Sequence, residues 1–246
     1  MSTPFDLTGK LVLVTGATAG LGRQSAVTAS RMGARVIVTG RNRDKLQQTF
    51  ALLEGDGHQA ITADFAGERG RAEFISALPA LDGIAHCAGA TLLRPFPFIT
   101  EDKFREIYTI NVEAPLFLTQ RLFKARKINA GASVAFIASI AAFRGALGHT
   151  IYAGSKAALV GMVRVLAHEL AGLKIRANCI SPAMVRTEVA EGLAQQLSDE
   201  AVAADEATYP LGYGTPDDVA NAVVYFLSPA SRWVTGTNFI MDGGLT

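Results

Sequence analysis

The stretch "KLVLVTGATAGLG", Lys10 to Gly22, decides the fold. Its first half is apolar and β-branched with no polar alternation, and Gly16 closes it. That is the pattern of a strand buried on both faces. Its second half places glycines at 16, 20 and 22 ahead of a helical stretch over 21–32 that Gly33 ends. Between strand and helix, such a turn lets the backbone approach a pyrophosphate. The helix N-terminus adds unpaired N–H donors and the positive end of its dipole. The spacing G-x-x-x-G-x-G departs from the commoner G-x-G-x-x-G and lacks the G-K-[ST] of a phosphate-binding P-loop.

Outward from this unit the same alternation continues. Apolar runs predict strands over 34–40, 59–64, 81–89, 132–139, 174–181 and 238–244. Helical stretches fall over 44–53, 69–78, 101–126, 152–170 and 216–227. Continuous apolar strands between helices predict an α/β fold, a three-layer, doubly wound parallel sheet of about seven strands. Ligands bind such a sheet at the carboxyl ends of its strands near the switch point. No linker or repeat divides residues 1–246, which read as a single domain. The least helical segment, around 183–214, has room for a mobile substrate lid.

Composition narrows the function classes. The chain has 246 residues, 49% hydrophobic and 18% charged, so a large core is available and disorder is not expected. A formal charge of +1 supplies no field for nucleic acid or acidic membranes. No uninterrupted apolar run approaches the ~20 residues of a membrane span, and the start carries no signal-peptide pattern. Cys87 and Cys179 sit in apolar runs and read as reduced core residues, and the four histidines show no metal-ligand spacing. A cytoplasmic protein without a metal or nucleic-acid partner is the expectation.

The end of the second strand bears on the choice of dinucleotide. An acid there would hold a ribose 2′-OH, whereas an arginine favours a 2′-phosphate. Gly40 stands where the acid would be, followed by Arg41, so NADP(H) is favoured over NAD(H). Asp64, ending the third strand, can accept a hydrogen bond from an adenine amino group.

Several motifs in order, "TGATAGLG", "CAG" (87–89), "INV" (110–112), Ser139, "YAGSK" (152–156), "SPAMVRT" and the closing "DGG", resemble the short-chain dehydrogenase/reductase family over essentially the whole chain. Its short single-domain branch includes 3-oxoacyl-[acyl-carrier-protein] reductases. The resemblance implies a Rossmann-type fold, an NAD(P)-dependent oxidoreductase and a catalytic quartet of Asn111, Ser139, Tyr152 and Lys156. It also implies dinucleotide contacts from Gly16, Thr18, Gly20, Leu21, Gly22, Arg41, Asp64, Phe65, Ala88, Gly89, Tyr152, Lys156, Pro182 and Thr187. Relatives commonly form tetramers, so a homotetramer or homodimer is expected. Two positions depart from the family pattern: His86-Cys87 replace an Asn-Asn pair, and Ala183 replaces a glycine after Pro182.

Tyr152 and Lys156 lie one helical turn apart on one face. A free tyrosine has a pKa of ~10; a cation ~4 Å away at an effective dielectric of ~20 contributes about 4 kcal/mol, up to about three pKa units. Lys156 is therefore expected to lower the pKa of Tyr152 and make it a usable acid or base. Asn111, within the fourth helix, could hold water linking lysine to solvent by its side chain or by a bulged backbone. The substrate that the resemblance implies is a small-molecule carbonyl or alcohol. Walls are expected from Leu92, Leu93, Phe96, Phe143 and Met184, with Arg94, Arg144 and His149 as contacts for an anionic or carrier-linked group. By resemblance, 3-oxoacyl-thioester reduction is the leading case. An NAD-linked sugar or polyol dehydrogenase and a non-catalytic dinucleotide-binding regulator are the alternatives.

Overall fold

The computed structural model describes residues 3–65, 67–188, 192 and 198–246. Seven strands form one sheet: β1 (Leu11–Thr15), β2 (Arg35–Gly40), β3 (Gln59–Thr62), β4 (Leu81–His86), β5 (Ile128–Ile137), β6 (Arg176–Pro182) and β7 (Asn238–Met241). Their order is β3-β2-β1-β4-β5-β6-β7 and every neighbouring pair is parallel. The chain leaves β1 toward β2 and β3 on one side, then returns to place β4 on the other. That reversal, between β1 and β4, is where a doubly wound sheet opens a ligand crevice.

The continuous apolar strands feed two cores because successive side chains point to opposite faces. Leu11 and Leu13 face one layer, packed with Phe74, Leu118, Leu122, Leu159 and Val163. These belong to α3 (Glu68–Ala77), α5 (Ala114–Lys124) and α6 (Thr150–Glu169). Val12 and Val14 face the other, with Ala26, Leu46, Val219, Val223 and Phe226. Those come from α1 (Gly20–Arg31), α2 (Arg43–Phe50) and α8 (Pro216–Leu227). Helix α8 starts on a capping box in which Thr215 and Asp218 satisfy each other's backbone N–H groups.

The stretch 101–126 is not one helix. It divides into α4 (Glu101–Tyr108), a π-helical turn (Thr109–Glu113) and α5. Pro115 accounts for the break. It has no N–H to give the carbonyl of Asn111 four residues earlier, and the ladder shifts to an i→i−5 pattern in which Ala114 N–H donates to Thr109 O. Helix α6 has 20 residues and a mean hydropathy of 1.2, so by length and composition it equals a membrane span. That qualifies the expectation drawn from uninterrupted apolar runs, although α6 packs on the sheet and buries Leu159, Val160 and Val163.

Of the expected lid, residues 189–191 and 193–197 lie outside the described residues. Its base is stapled to the sheet. Val185 bridges Gly214, Ala183 N–H donates to Met241 O, and Leu211 N–H donates to Gly243 O. Helix α7 (Asp199–Glu206) stands on this base and ties in through the Arg186–Glu206 ion pair.

Candidate active site

A cleft of about 1180 Å³ opens at the carboxyl edge of the sheet, across the β1–β4 reversal. The register explains the convergence. Thr15 is level with Thr39 and His86, and His86 with Phe136, so the residues following four strands emerge along one edge. Each residue expected to touch the dinucleotide lines this cleft, as do Ser139, Tyr152 and Lys156. Asn111 does not; it is buried behind the wall.

The glycine loop fits a dinucleotide. A Cβ on Gly16, whose φ is +65°, would come within 2.6 Å of the Ala88 backbone, and one on Gly22 within 2.3 Å of Gly16 O. Helix α1 has Ala19 at its N-cap, with no side-chain cap and no acid in its first turn, the arrangement of an anion-binding N-terminus. Arg23, in that first turn, opposes the helix dipole and has another use. It donates to Thr18 O at 2.7 Å and pairs with Glu188 at 3.0 Å, while Thr49 donates to Ala17 O at 2.7 Å. This clamp on the loop's carbonyls escaped the sequence reading. The signal was a basic residue at the wrong end of a helix.

At the end of β2, Gly40 is tight against Thr18: a Cβ there would lie 2.6 Å from the Thr18 methyl. A carboxylate-bearing residue at 40 would have to displace that threonine. Arg41 follows, exposed on the cleft rim, and Asp64 lines the same end.

Across the cleft, Ser139 leaves β5 and its Oγ accepts from Ala141 N–H at 3.2 Å, which shapes the turn. The Ser139 side chain acts on the Tyr152 phenol across the cleft wall that both line, drawing its pKa down. Lys156, 4% exposed, donates to Ile137 O at 2.8 Å and lies 5.8 Å from the centroid of the Tyr152 ring. Burial is the main influence on both groups. It pushes the Tyr152 phenol above its usual range against the opposing Ser139 side chain, and lowers Lys156 to about 8. The expectation that Lys156 brings the tyrosine below its usual range is thus corrected: desolvation dominates, with the ammonium held by the Ile137 carbonyl 5.8 Å from the ring centroid. Small residues let the groups meet, since a Cβ on Gly89 would be 3.2 Å from Lys156 Nζ and 3.4 Å from Asn111 Oδ1.

Asn111 clamps three segments together at the π turn. Its Oδ1 accepts from Ala90 N–H at 2.8 Å, and its Nδ2 donates to Ala90 O at 2.9 Å and Ser155 Oγ at 3.0 Å. The side chain therefore joins the π turn, the loop after β4 and α6.

The family departures each have a local account. His86 stacks on Phe136 at 4.8 Å and its Nε2 lies 2.8 Å from Thr119 Oγ1. Thr119 gives its own proton to Pro115 O, so His86 Nε2 is the donor. Burial lowers this histidine to about 3, which keeps it neutral and makes it a strut between β4 and α5. Cys179 is buried as expected, but Cys87 is half-buried and lines the cleft; burial of its thiol raises its pKa to about 12. Ala183 has no positive φ, so glycine is not required there.

The substrate end differs from expectation. Leu92, Leu93, Phe96, Phe143 and Arg94 are not among its walls. Leu93 and Phe96 are instead exposed outside it, and Arg94 turns to Phe98 O. Thr91, Ala141, Arg144, His149, Met184 and Tyr209 line it.

Residues 16–246 match the family model described as enoyl-(acyl carrier protein) reductase. The chain is 31% identical to a 3-oxoacyl-[acyl-carrier-protein] reductase of Rickettsia felis over 98% of both chains. It is 32% identical to the 7alpha-hydroxysteroid dehydrogenase of Escherichia coli K12, covering 99% of this chain and 96% of that one. Among solved structures, a putative short-chain alcohol dehydrogenase from Sinorhizobium meliloti superposes with a TM-score of 0.90 at 29% identity, covering 99% and 98%. A putative NAD(P)-dependent gluconate 5-dehydrogenase from Beutenbergia cavernae, with bound NADP, gives 0.89 at 31%, covering 99% of each. The sheet order, the uncapped glycine-loop helix and the full-length likeness place this chain in the short-chain dehydrogenase/reductase family, as an NAD(P)-dependent oxidoreductase that interconverts carbonyl and alcohol groups.

Proposed function

We propose that the enzyme reduces a carbonyl to a secondary alcohol with NADPH, and that Tyr152 delivers the proton. The observation that carries this reading is that Ser139, Tyr152 and Lys156 line one wall of the cleft, with the buried Lys156 ammonium 5.8 Å from the centroid of the Tyr152 ring. When bound, the dinucleotide supplies the hydride. The backbone of Gly16, Gly20 and Gly22 would hold its pyrophosphate, Asp64 its adenine, Lys156 its nicotinamide ribose and Thr187 its carboxamide. The preference for NADPH rests on Arg41 at the rim and on Gly40, where Thr18 leaves no room for an acid.

Ser139 donates a hydrogen bond to the substrate oxygen and orients it toward Tyr152. Tyr152 then gives its phenolic proton as negative charge develops on that oxygen. Burial favours the protonated phenol, the form an acid needs, and Lys156 stabilises the phenolate left behind. Asn111 holds the Ala90 loop and Ser155 in register with both.

Among substrates, a 3-oxoacyl thioester is the reading the relatives support. Oxidation or reduction of a sugar acid or polyol is the second reading, supported by the polar substrate end and the gluconate 5-dehydrogenase likeness. The working unit is a cytoplasmic homotetramer built on the exposed faces of α5, α6 and β7.

The test is a carbonyl and alcohol panel run with both dinucleotides in both directions, on the wild type and Tyr152→Phe. The variant should lose at least about 10²-fold in kcat while NADPH affinity changes by no more than about twofold. Full activity in the variant would sink the assignment of Tyr152, and tighter binding of NADH than NADPH would overturn the cofactor choice.

A further inference from the structure

The charges around the cleft are unequally committed. Glu188 is paired with Arg23, Glu106 with Lys103, and Asp102 with Arg105, which also holds Glu101. Asp205 accepts the Tyr213 hydroxyl at 2.6 Å. At the substrate end, Arg144 makes no ion pair among the described residues, and it lines the cleft with His149, Tyr152 and Tyr209.

The backbone of Arg144 is held. Its N–H donates to Ile140 O at 2.8 Å, and Ala142 N–H donates to Ser139 O at 3.1 Å. The same short turn therefore carries Ser139 at its start and Arg144 at its end. Burial and the Asp205 carboxylate raise the Tyr209 phenol and the Arg144 guanidinium opposes them, and both Arg144 and Tyr209 line the cleft. Its guanidinium is a planar fork suited to two oxygens of one carboxylate.

Deepening the carbonyl-reductase reading, on which it rests, and favouring its sugar-acid substrates over the 3-oxoacyl thioester, we infer that Arg144 is a specificity-determining residue that selects oxo compounds bearing a free carboxylate. Ser139 and Tyr152 take the carbonyl oxygen, and Arg144 takes the carboxylate at the other end of the substrate. The small side chains of Ala141 and Ala146 line the cleft with them. The proton and hydride steps are unchanged.

The experiment compares short oxo acids with their methyl esters and with a neutral 3-oxoacyl thioester, as kcat/KM with NADPH, in wild type, Arg144→Gln and Arg144→Lys. Wild type should prefer acid over ester by about tenfold or more, the scale of one charge-assisted contact. Arg144→Gln should bring that ratio near one, and Arg144→Lys should restore part of it. Equal use of acid and ester by wild type, or an unchanged ratio in Arg144→Gln, overturns the inference. Calorimetric titration of a short oxo acid into the NADPH-loaded Tyr152→Phe protein, with and without Arg144→Gln, decides it independently of turnover. Binding weakened by about tenfold supports it, and equal binding or none overturns it. A failure of all carbonyls in turnover with carboxylate binding intact would count against the reductase reading alone.

Discussion

At neutral pH Lys156 carries a charge that its burial disfavours, since its pKa falls from 10.5 to about 8. Between those values the unfolded chain keeps a proton on this lysine that the folded chain has released. Raising the pH across that window therefore favours the folded state. Below about 8 both states are protonated and the whole penalty, about 3 kcal/mol, stands. Lys156→Met removes the group, so the difference in urea midpoint between variant and wild type should change steadily from pH 8 to 10.5. Parallel profiles would refute it. That Lys156 and Tyr152 share a face was legible from their spacing. That desolvation would outweigh their mutual attraction was not, because burial depends on Ile137, Gly89 and Cys87, which are distant in sequence.

The π turn at Thr109–Glu113 is the element on which the site's rigidity rests. Pro115 breaks the ladder at Asn111, and the bulge accompanies a side chain whose three hydrogen bonds link Ala90 and Ser155. Asn111→Ala leaves the Ala90 N–H and C=O without these partners, which should cost about 2–4 kcal/mol. The amide of Ala90 should then exchange hydrogen at least about tenfold faster, a local signature that a simple surface change would not produce. If exchange at Ala90 is unaltered, the clamp is not what holds the loop. The proline was visible in the sequence, yet 101–126 read as one helical stretch. Only the position of that proline, four residues after Asn111, encodes the break. His86 shows the reverse case: its isolation in sequence excluded a metal site, but Thr119 and Phe136 were needed to explain its presence.

For the whole molecule, the proposed tetramer should form over exposed apolar side chains. Val165 is 56% exposed on α6, and Ile240 is 44% exposed on β7, an edge strand with one open side. The protein should sediment at four times its 26.0 kDa chain mass. Val165→Asp and Ile240→Asp should each yield a smaller species, and a monomeric wild type would refute the assembly. The seven strands, the glycine loop and the dinucleotide end of the cleft were determined by sequence alone. Buried parallel strands and a strand–glycine–helix turn are encoded by contiguous residues. The substrate end was decided only by tertiary structure. Its walls come from loops after β4 and β5 and from the lid base, whose side chains carry no periodic signal. Packing turned Leu93 and Phe96 outward and left Arg144 in the cleft.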